Sequence, residues 1–249
     1  MRLIKEANLT GELMRERLCQ TRKSRYNKLL RKVVQTRRVD AGKFMRVVIF
    51  SWEFPPRIVG QLAEYVWELA VQLVKNEVEA YVVTYHDHLT GRNEEPEGVK
   101  TYRVTNPVKT HNGVFTWVLT LNQEVERAAA KIYYNTDRQV DLVDAHDWHF
   151  IPAAATLKKA FNIPFVYSVE SLEDHRSQGA NSVYNMSIKS IEWLGMYEAE
   201  KILVKSEWMR DEVIRIYRAP TDKIDVVLPQ SATWFKDILK TYSSVAEAQ

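Results

Sequence analysis

From residue 46 onward, apolar and polar positions along the chain switch repeatedly between two periods. Val47 to Phe50, preceded by Arg46, form a short apolar run of the buried-strand kind, and Pro55, Pro56 and Gly60 then break it. From Gln61 the spacing changes, so that Leu62, Tyr65, Val66 and Leu69 fall on one helical face. The same alternation predicts strands at 78–85, 99–104, 141–145, 163–169, 201–205 and 223–228. It predicts helices at 115–135, 151–161, 182–198, 207–217 and 233–248, with polar loops at 86–97 and 106–113. Strands separated by helices of this length require crossover connections, which gives an α/β class with a doubly wound parallel sheet. In such sheets ligands bind where a strand ends and a helix begins, and the 45–68 stretch is the first such junction.

Residues 1–44 follow a different pattern. Leu9, Leu13, Leu18, Tyr26, Leu29, Leu30, Val33 and Val34 recur at roughly helical spacing, interleaved with Arg22, Lys23, Arg25, Lys28, Arg31 and Lys32 and followed by Arg37 and Arg38. The expectation is one or two basic amphipathic helices forming an extension, with 45–229 the Rossmann-like domain and 230–249 a closing helix. Charge sharpens this division. The extension holds thirteen Lys and Arg against four acids, so an overall charge of +3 leaves −6 for the rest. Its basic side is either solvated against its own domain or meets an acidic protein or nucleic-acid phosphates, whose neutralisation makes affinity salt-dependent.

Composition narrows the class further. With 45% hydrophobic residues in 249, the chain can bury a sizeable core. It contains no run of about 18 apolar residues and no apolar segment after the basic N-terminus, so neither a membrane span nor a secretory signal is expected, and the cytoplasm is the expected location. The single cysteine, Cys19, cannot form an internal disulfide. No G-x-G-x-x-G, Walker loop or G-x-S-x-G occurs, which removes the sequence support for a dehydrogenase, an NTPase or a hydrolase. His86 and His88 share one strand face but lack a third ligand, so no metal and no cofactor are expected.

Three segments carry a resemblance: SWEFPPRIVGQLAEYV at the first junction, DLVDAHDWHFIPAAATLKK in the centre, and PFVYSVESLEDHR after it. Together, from about Met45 to Pro229, the chain resembles the N-terminal domain of GT-B glycosyltransferases, the glycogen and starch synthase group in particular. The resemblance implies two Rossmann-like domains facing each other across a cleft, with acceptor held mainly by the N-terminal one and a nucleotide-sugar donor by the other. It places Gly60 and Gln61 at a glycine pair that meets the donor diphosphate, His146 at the sugar, Asp147 and Trp148 in the loop beside it, Glu170 where a second histidine usually stands, and Glu173 to Arg176 on the acceptor side.

The sequence departs from that pattern at Gln61, where close approach of backbone to phosphate favours glycine, and at Glu170, whose carboxylate repels a diphosphate. No second Rossmann-like domain is written between residue 229 and Gln249, and the helix at 233–248 is expected to cover the face such a domain would occupy. These readings favour a degenerate transferase-like domain that acts as an interaction or structural subunit of an assembly, with residual carbohydrate or nucleotide-sugar binding open. The alternatives are the acceptor half of a split glucosyltransferase and a ribonucleoprotein component binding through the basic arm. On sequence alone, His146 also fits a residue that merely caps a strand end.

Overall fold

A computed structural model describes residues 45–91 and 93–248. The basic stretch 1–44, with Arg22, Lys23, Arg25, Lys28, Arg31, Lys32, Arg37 and Arg38, lies outside the described residues. The elements are β1 (Arg46–Ser51), α1 (Gln61–Lys75), β2 (Glu79–Tyr85), β3 (Asn93–Glu94), β4 (Lys100–Val104), α2 (Val114–Asn135), β5 (Leu142–His146), α3 (Ile151–Phe161), β6 (Phe165–Val169), α4 (Glu173–Arg176), α5 (Val183–Glu198), β7 (Lys201–Val204), α6 (Glu207–Tyr217), β8 (Ile224–Val226) and α7 (Trp234–Glu247). The sheet order is β3-β4-β2-β1-β5-β6-β7-β8, and every pair is parallel except β3 with β4. Strand order reverses between β1 and β5, so the crevice outside their carboxyl ends is the topological switch point.

The period of two in β1 divides the core. Val48 and Phe50 face α2, α3, α5 and α6, where they join Leu121, Ile151 and Tyr167. Val47 and Ile49 face α1 and α7, where they meet Val66, Leu69 and Tyr242. The last helix, α7, lies on a sheet face beside α1, burying Ile238, Tyr242 and Val245, and its first residue, Trp234, stands 5.8 Å from the ring of Tyr65. Two differences from the predicted elements are local. The polar loop predicted before β4 contains the two-residue β3, and the polar segment after β6 winds into the single turn α4.

Gly195 marks a close helix-to-sheet contact. A Cβ there would lie 2.7 Å from the ring of Tyr167 on β6 and 3.0 Å from Ile151. Tyr167 is fully buried and cannot swing away. Gly195→Ala is therefore expected to destabilise the domain by about 2 kcal/mol in urea unfolding, because overpacking outweighs the gain in helix propensity of about 1 kcal/mol.

Candidate functional site

The first junction is built by Glu53. Its side chain is buried, and Oε2 accepts hydrogen bonds from the backbone N–H groups of Val59 and Gly60, both at 2.6 Å. Of the Gly60–Gln61 pair that the resemblance assigns to a diphosphate, the Gly60 amide is thus held by the chain's own carboxylate. Gly60 is extended, at φ −146°, so positive φ is not what it supplies. Its lack of a Cβ instead admits the Glu53 carboxylate, whose Oε1 would lie 3.4 Å from one. Gln61 opens α1 with an exposed side chain, and no side chain caps the helix.

The second part is set by register. His146 on β5 pairs with Ser168 on β6, which brings the end of β5 beside Glu170 just beyond β6. His146 is 1% exposed, with Nδ1 2.9 Å from Glu170 Oε1 and Nε2 3.2 Å from Asp144 Oδ2. Asp144 also accepts hydrogen bonds from Ser168 Oγ at 2.7 Å and from the Tyr242 hydroxyl on α7. Glu170 is paired on its other side by Lys205, whose Nζ sits 3.8 Å from the ring centroid of Tyr65 on α1. Two carboxylates therefore alternate with two cations along one chain, buried at Asp144 and His146 and half-buried at Glu170 and Lys205.

Burial pulls the imidazole pKa down, but the fields and hydrogen bonds of Asp144 and Glu170 outweigh it and lift His146 to about 9. The carboxyl of Asp144 is pushed up by burial, yet His146, Tyr242 and Ser168 together hold it below the usual range. At neutral pH the centre is an imidazolium between two carboxylates. The ring is buried, with Nδ1 hydrogen-bonded to Glu170 and Nε2 beside Asp144 but without a hydrogen bond of its own. His146 is more than a strand cap, because its polar partners are side chains: Asp144 two residues earlier on the same strand and Glu170 just beyond β6.

The loop after β5 is equally specific. Asp147 adopts φ 65°, and its carboxylate accepts from the N–H of Trp148 at 3.0 Å, which starts a short helical turn. Trp148 is buried and stacks on His149 at 4.5 Å, and His149 stacks on Trp52 at 5.5 Å. Trp52 lies parallel to Tyr85, with the guanidinium of Arg57 4.3 Å above it. A row of rings thus runs along the carboxyl ends of β2, β1 and β5. Arg176, on α4, approaches Asp147 only to 3.9 Å and gives its stronger bonds to Glu173 and Glu192.

The pair Glu192 and Glu198, on a predicted helix, reads from the sequence most simply as surface charge, and for Glu192 the structure corrects that reading. Glu192 is fully buried and accepts from Glu173 N at 2.8 Å, Arg176 Nη2 at 2.7 Å and the Tyr217 hydroxyl. Burial raises its pKa to about 7 against the pull of Tyr217 and Arg176. The signal was present in the sequence, since Glu192 shares the face of α5 that carries Ile188, Ile191 and Gly195. Glu198, in contrast, reaches the surface and pairs with Lys158 and Lys159. His86 caps a loop, its Nδ1 accepting from His88 N and Leu89 N at 3.1 and 3.0 Å.

Sequence reasoning thus located Gly60, Gln61, His146, Asp147, Trp148, Glu170 and Arg176 on one rim, and His146 touches Glu170 directly. It missed Glu53, Asp144, Lys205 and Tyr242.

Comparison with known proteins bears on this rim. The profile of Glycosyltransferase Family 4 matches residues 62–229. An uncharacterized glycosyltransferase of Methanocaldococcus jannaschii is 33% identical over 196 residues, covering 78% of this chain and 48% of that protein. Glycogen synthase of Mycobacterium tuberculosis is 25% identical over 197 residues, covering 74% and 47%. Among solved structures, sucrose-phosphate synthase from Thermosynechococcus elongatus superposes with a TM-score of 0.58 at 17% identity, over 74% of this chain and 48% of that one. Starch Synthase IV from Arabidopsis thaliana, bound to ADP and acarbose, gives 0.51 at 11% identity, over 75% and 52%. The chain spans about half the length of the curated relatives it matches.

Proposed function

The chain belongs to Glycosyltransferase Family 4, with the Rossmann-like fold of a GT-B N-terminal domain, and from that premise we infer that it is the acceptor-side half of this architecture with its sugar pocket closed. In this reading it transfers no sugar by itself and serves as an interaction or structural subunit. One observation carries the inference: Glu170 stands 2.9 Å from His146 Nδ1 and is itself paired with Lys205. Chemistry that expels a diphosphate needs preorganised positive charge turned toward the ligand. Here both cations of the pocket are turned toward the chain's own carboxylates, and the histidine is buried beneath them. Glu53 on the loop amides works in the same direction.

A second reading is the acceptor half of a split glucosyltransferase using a nucleotide-sugar donor, favoured by the exposed apolar side chains of Ile58, Val59 and Val183 beyond the carboxyl ends of the strands. No helix among the described residues is long and apolar enough to cross a membrane.

The test is a transfer assay on the whole chain with ADP-glucose and UDP-glucose as donors and maltooligosaccharides as acceptors, alongside calorimetric titration of each nucleotide sugar. The expected result is no product and no measurable heat. Turnover approaching about 1 s⁻¹, the lower end of ordinary enzyme rates, overturns the reading.

A further inference from the structure

Apart from the His146 centre, three carboxylates share one guanidinium. Glu192 on α5 is fully buried, and Glu173 on α4 and Asp147 after β5 are nearly so. Arg176 donates from Nη2 to Glu192 Oε1 at 2.7 Å and from Nε to Glu173 Oε2 at 3.1 Å, and its Nη1 stands 3.9 Å from Asp147 Oδ1. Among the described residues no Lys and no other Arg pairs with any of the three. With all of them ionised, the group holds more negative charge than one guanidinium balances, and at a buried place a bound proton relieves that excess.

Glu192 is the site for that proton. The other two acids have compensations of their own: Glu173 Oε1 accepts from Asn185 Nδ2 at 2.6 Å, and Asp147 has the N–H of Trp148 at 3.0 Å and His149 Nδ1 at 3.5 Å. Around Glu192 stand Tyr217 on α6, which donates to it, and Tyr167 on β6, whose buried hydroxyl has no partner in the chain. The same carboxylate pins α4, since it accepts the N–H of Glu173 at 2.8 and 3.1 Å as well as Arg176. The remaining ionisable groups of α4 point to other partners, Asp174 to Lys189 at 2.9 Å and His175 to Glu212 at 2.7 Å.

We propose that α4 is a proton-operated clip beside Asp147, held down on Glu192 while that carboxyl carries a proton and eased off it when the proton leaves. Loss of the proton leaves the excess charge buried, and lifting α4 admits water to it. Burial raises the Glu192 carboxyl from 4.5 to about 7 against the pull of Tyr217 and Arg176. The hold of a raised acid is complete below about pH 4.5 and is lost as pH rises through about 7. The window of His146 follows it, from 6.5 to about 9.

The experiment is NMR-detected hydrogen exchange of the full chain between about pH 5 and pH 8, corrected for intrinsic rates, at the hydrogen-bonded amides of Glu173, His175, Arg176 and Ser177. The expected result is protection that falls at least about tenfold as pH rises to about 7 and then levels off, the behaviour of one linked proton. Glu192→Gln, an uncharged replacement of the same shape, keeps the amides protected across the whole range. Tyr217→Phe removes a donor to the carboxylate and moves the midpoint to higher pH. Protection flat with pH in the parent overturns the proposal, as does a fall that persists in Glu192→Gln or appears equally in the amides of α1. If Glu192→Gln does not fold, Tyr217→Phe decides alone, and a midpoint unmoved or lowered overturns the proposal. No nucleotide sugar enters the measurement, so its outcome is independent of the closed-pocket reading.

Discussion

Asp144→Ala is expected to lower the unfolding free energy of the domain by about 3–5 kcal/mol, the cost of removing one partner from a buried ion pair. Asp144 lies at the centre of β5, fully buried, and holds Ser168, Tyr242 and His146 at once. Without it the imidazolium of His146 keeps Glu170 alone, and two hydroxyls lose their acceptor. Asp144→Asn separates charge from shape, since the amide fills the same volume but lacks the field.

The pH dependence makes the prediction specific. His146 is raised in the fold to about 9 from 6.5, so its contribution is fully present below about pH 6.5 and is lost as pH rises through about 9. A shift of that size corresponds to roughly 3 kcal/mol. Urea unfolding of the parent at a series of pH values should therefore weaken across that window. Asp144→Asn should flatten the fall, because the largest upward influence on the imidazole is gone. NMR titration of the His146 ring gives an independent reading: its midpoint should drop in both variants. A midpoint unchanged in Asp144→Asn would show that Glu170 alone holds the proton.

The parts of this centre that were legible in the sequence are those joined by sheet register. A strand ending in Asp-Ala-His beside one ending in Ser-Val-Glu sets Ser168 opposite His146, and Glu170 follows two residues later, so that pair can be anticipated from strand order alone. Lys205 and Tyr242 come from segments 35 and 98 residues away from the groups they bind, and nothing in their local spacing marks them. Glu53 failed to stand out for the opposite reason. It is a single acid in a proline-rich loop, and its significance arises only when the chain doubles back to present two amides to it. Glu192 was misjudged because a carboxylate on a helix is usually solvated, whereas the apolar neighbours at 188 and 191 place it inward and Arg176 makes that burial tolerable. Helix and strand limits were closest where the period change was abrupt, as at 151–161 and 207–217, and poorest at 223–228, where a helical turn at Thr221–Lys223 leaves only three residues to pair with β7.

Restoring Gln61→Gly together with Glu170→His is expected to tighten binding of ADP-glucose or UDP-glucose by about tenfold to a hundredfold, with most of the gain coming from Glu170→His. Two unit charges 4 Å apart interact by about 4 kcal/mol at an effective dielectric of 20. Pairing with Lys205 already offsets part of that repulsion, which is why the expected gain is about 1.4–2.8 kcal/mol. Removing the carboxylate also releases Lys205, whose side chain is 30% exposed over the Tyr65 ring and can turn toward a diphosphate. Gln61→Gly contributes less, because the Gln61 side chain points outward and Gly60 is already extended. Glu53 remains on the loop amides in the double variant, so Glu53→Gln added to it should raise affinity again by weakening the internal competitor for Val59 and Gly60. Calorimetry on the double and the triple variant measures the second step directly, and against a parent that gives no measurable heat it sets a lower bound on the first. If all three bind neither nucleotide sugar, the internal carboxylates are not what closes the pocket, and the affinity of this architecture for its donor must reside in residues beyond this half.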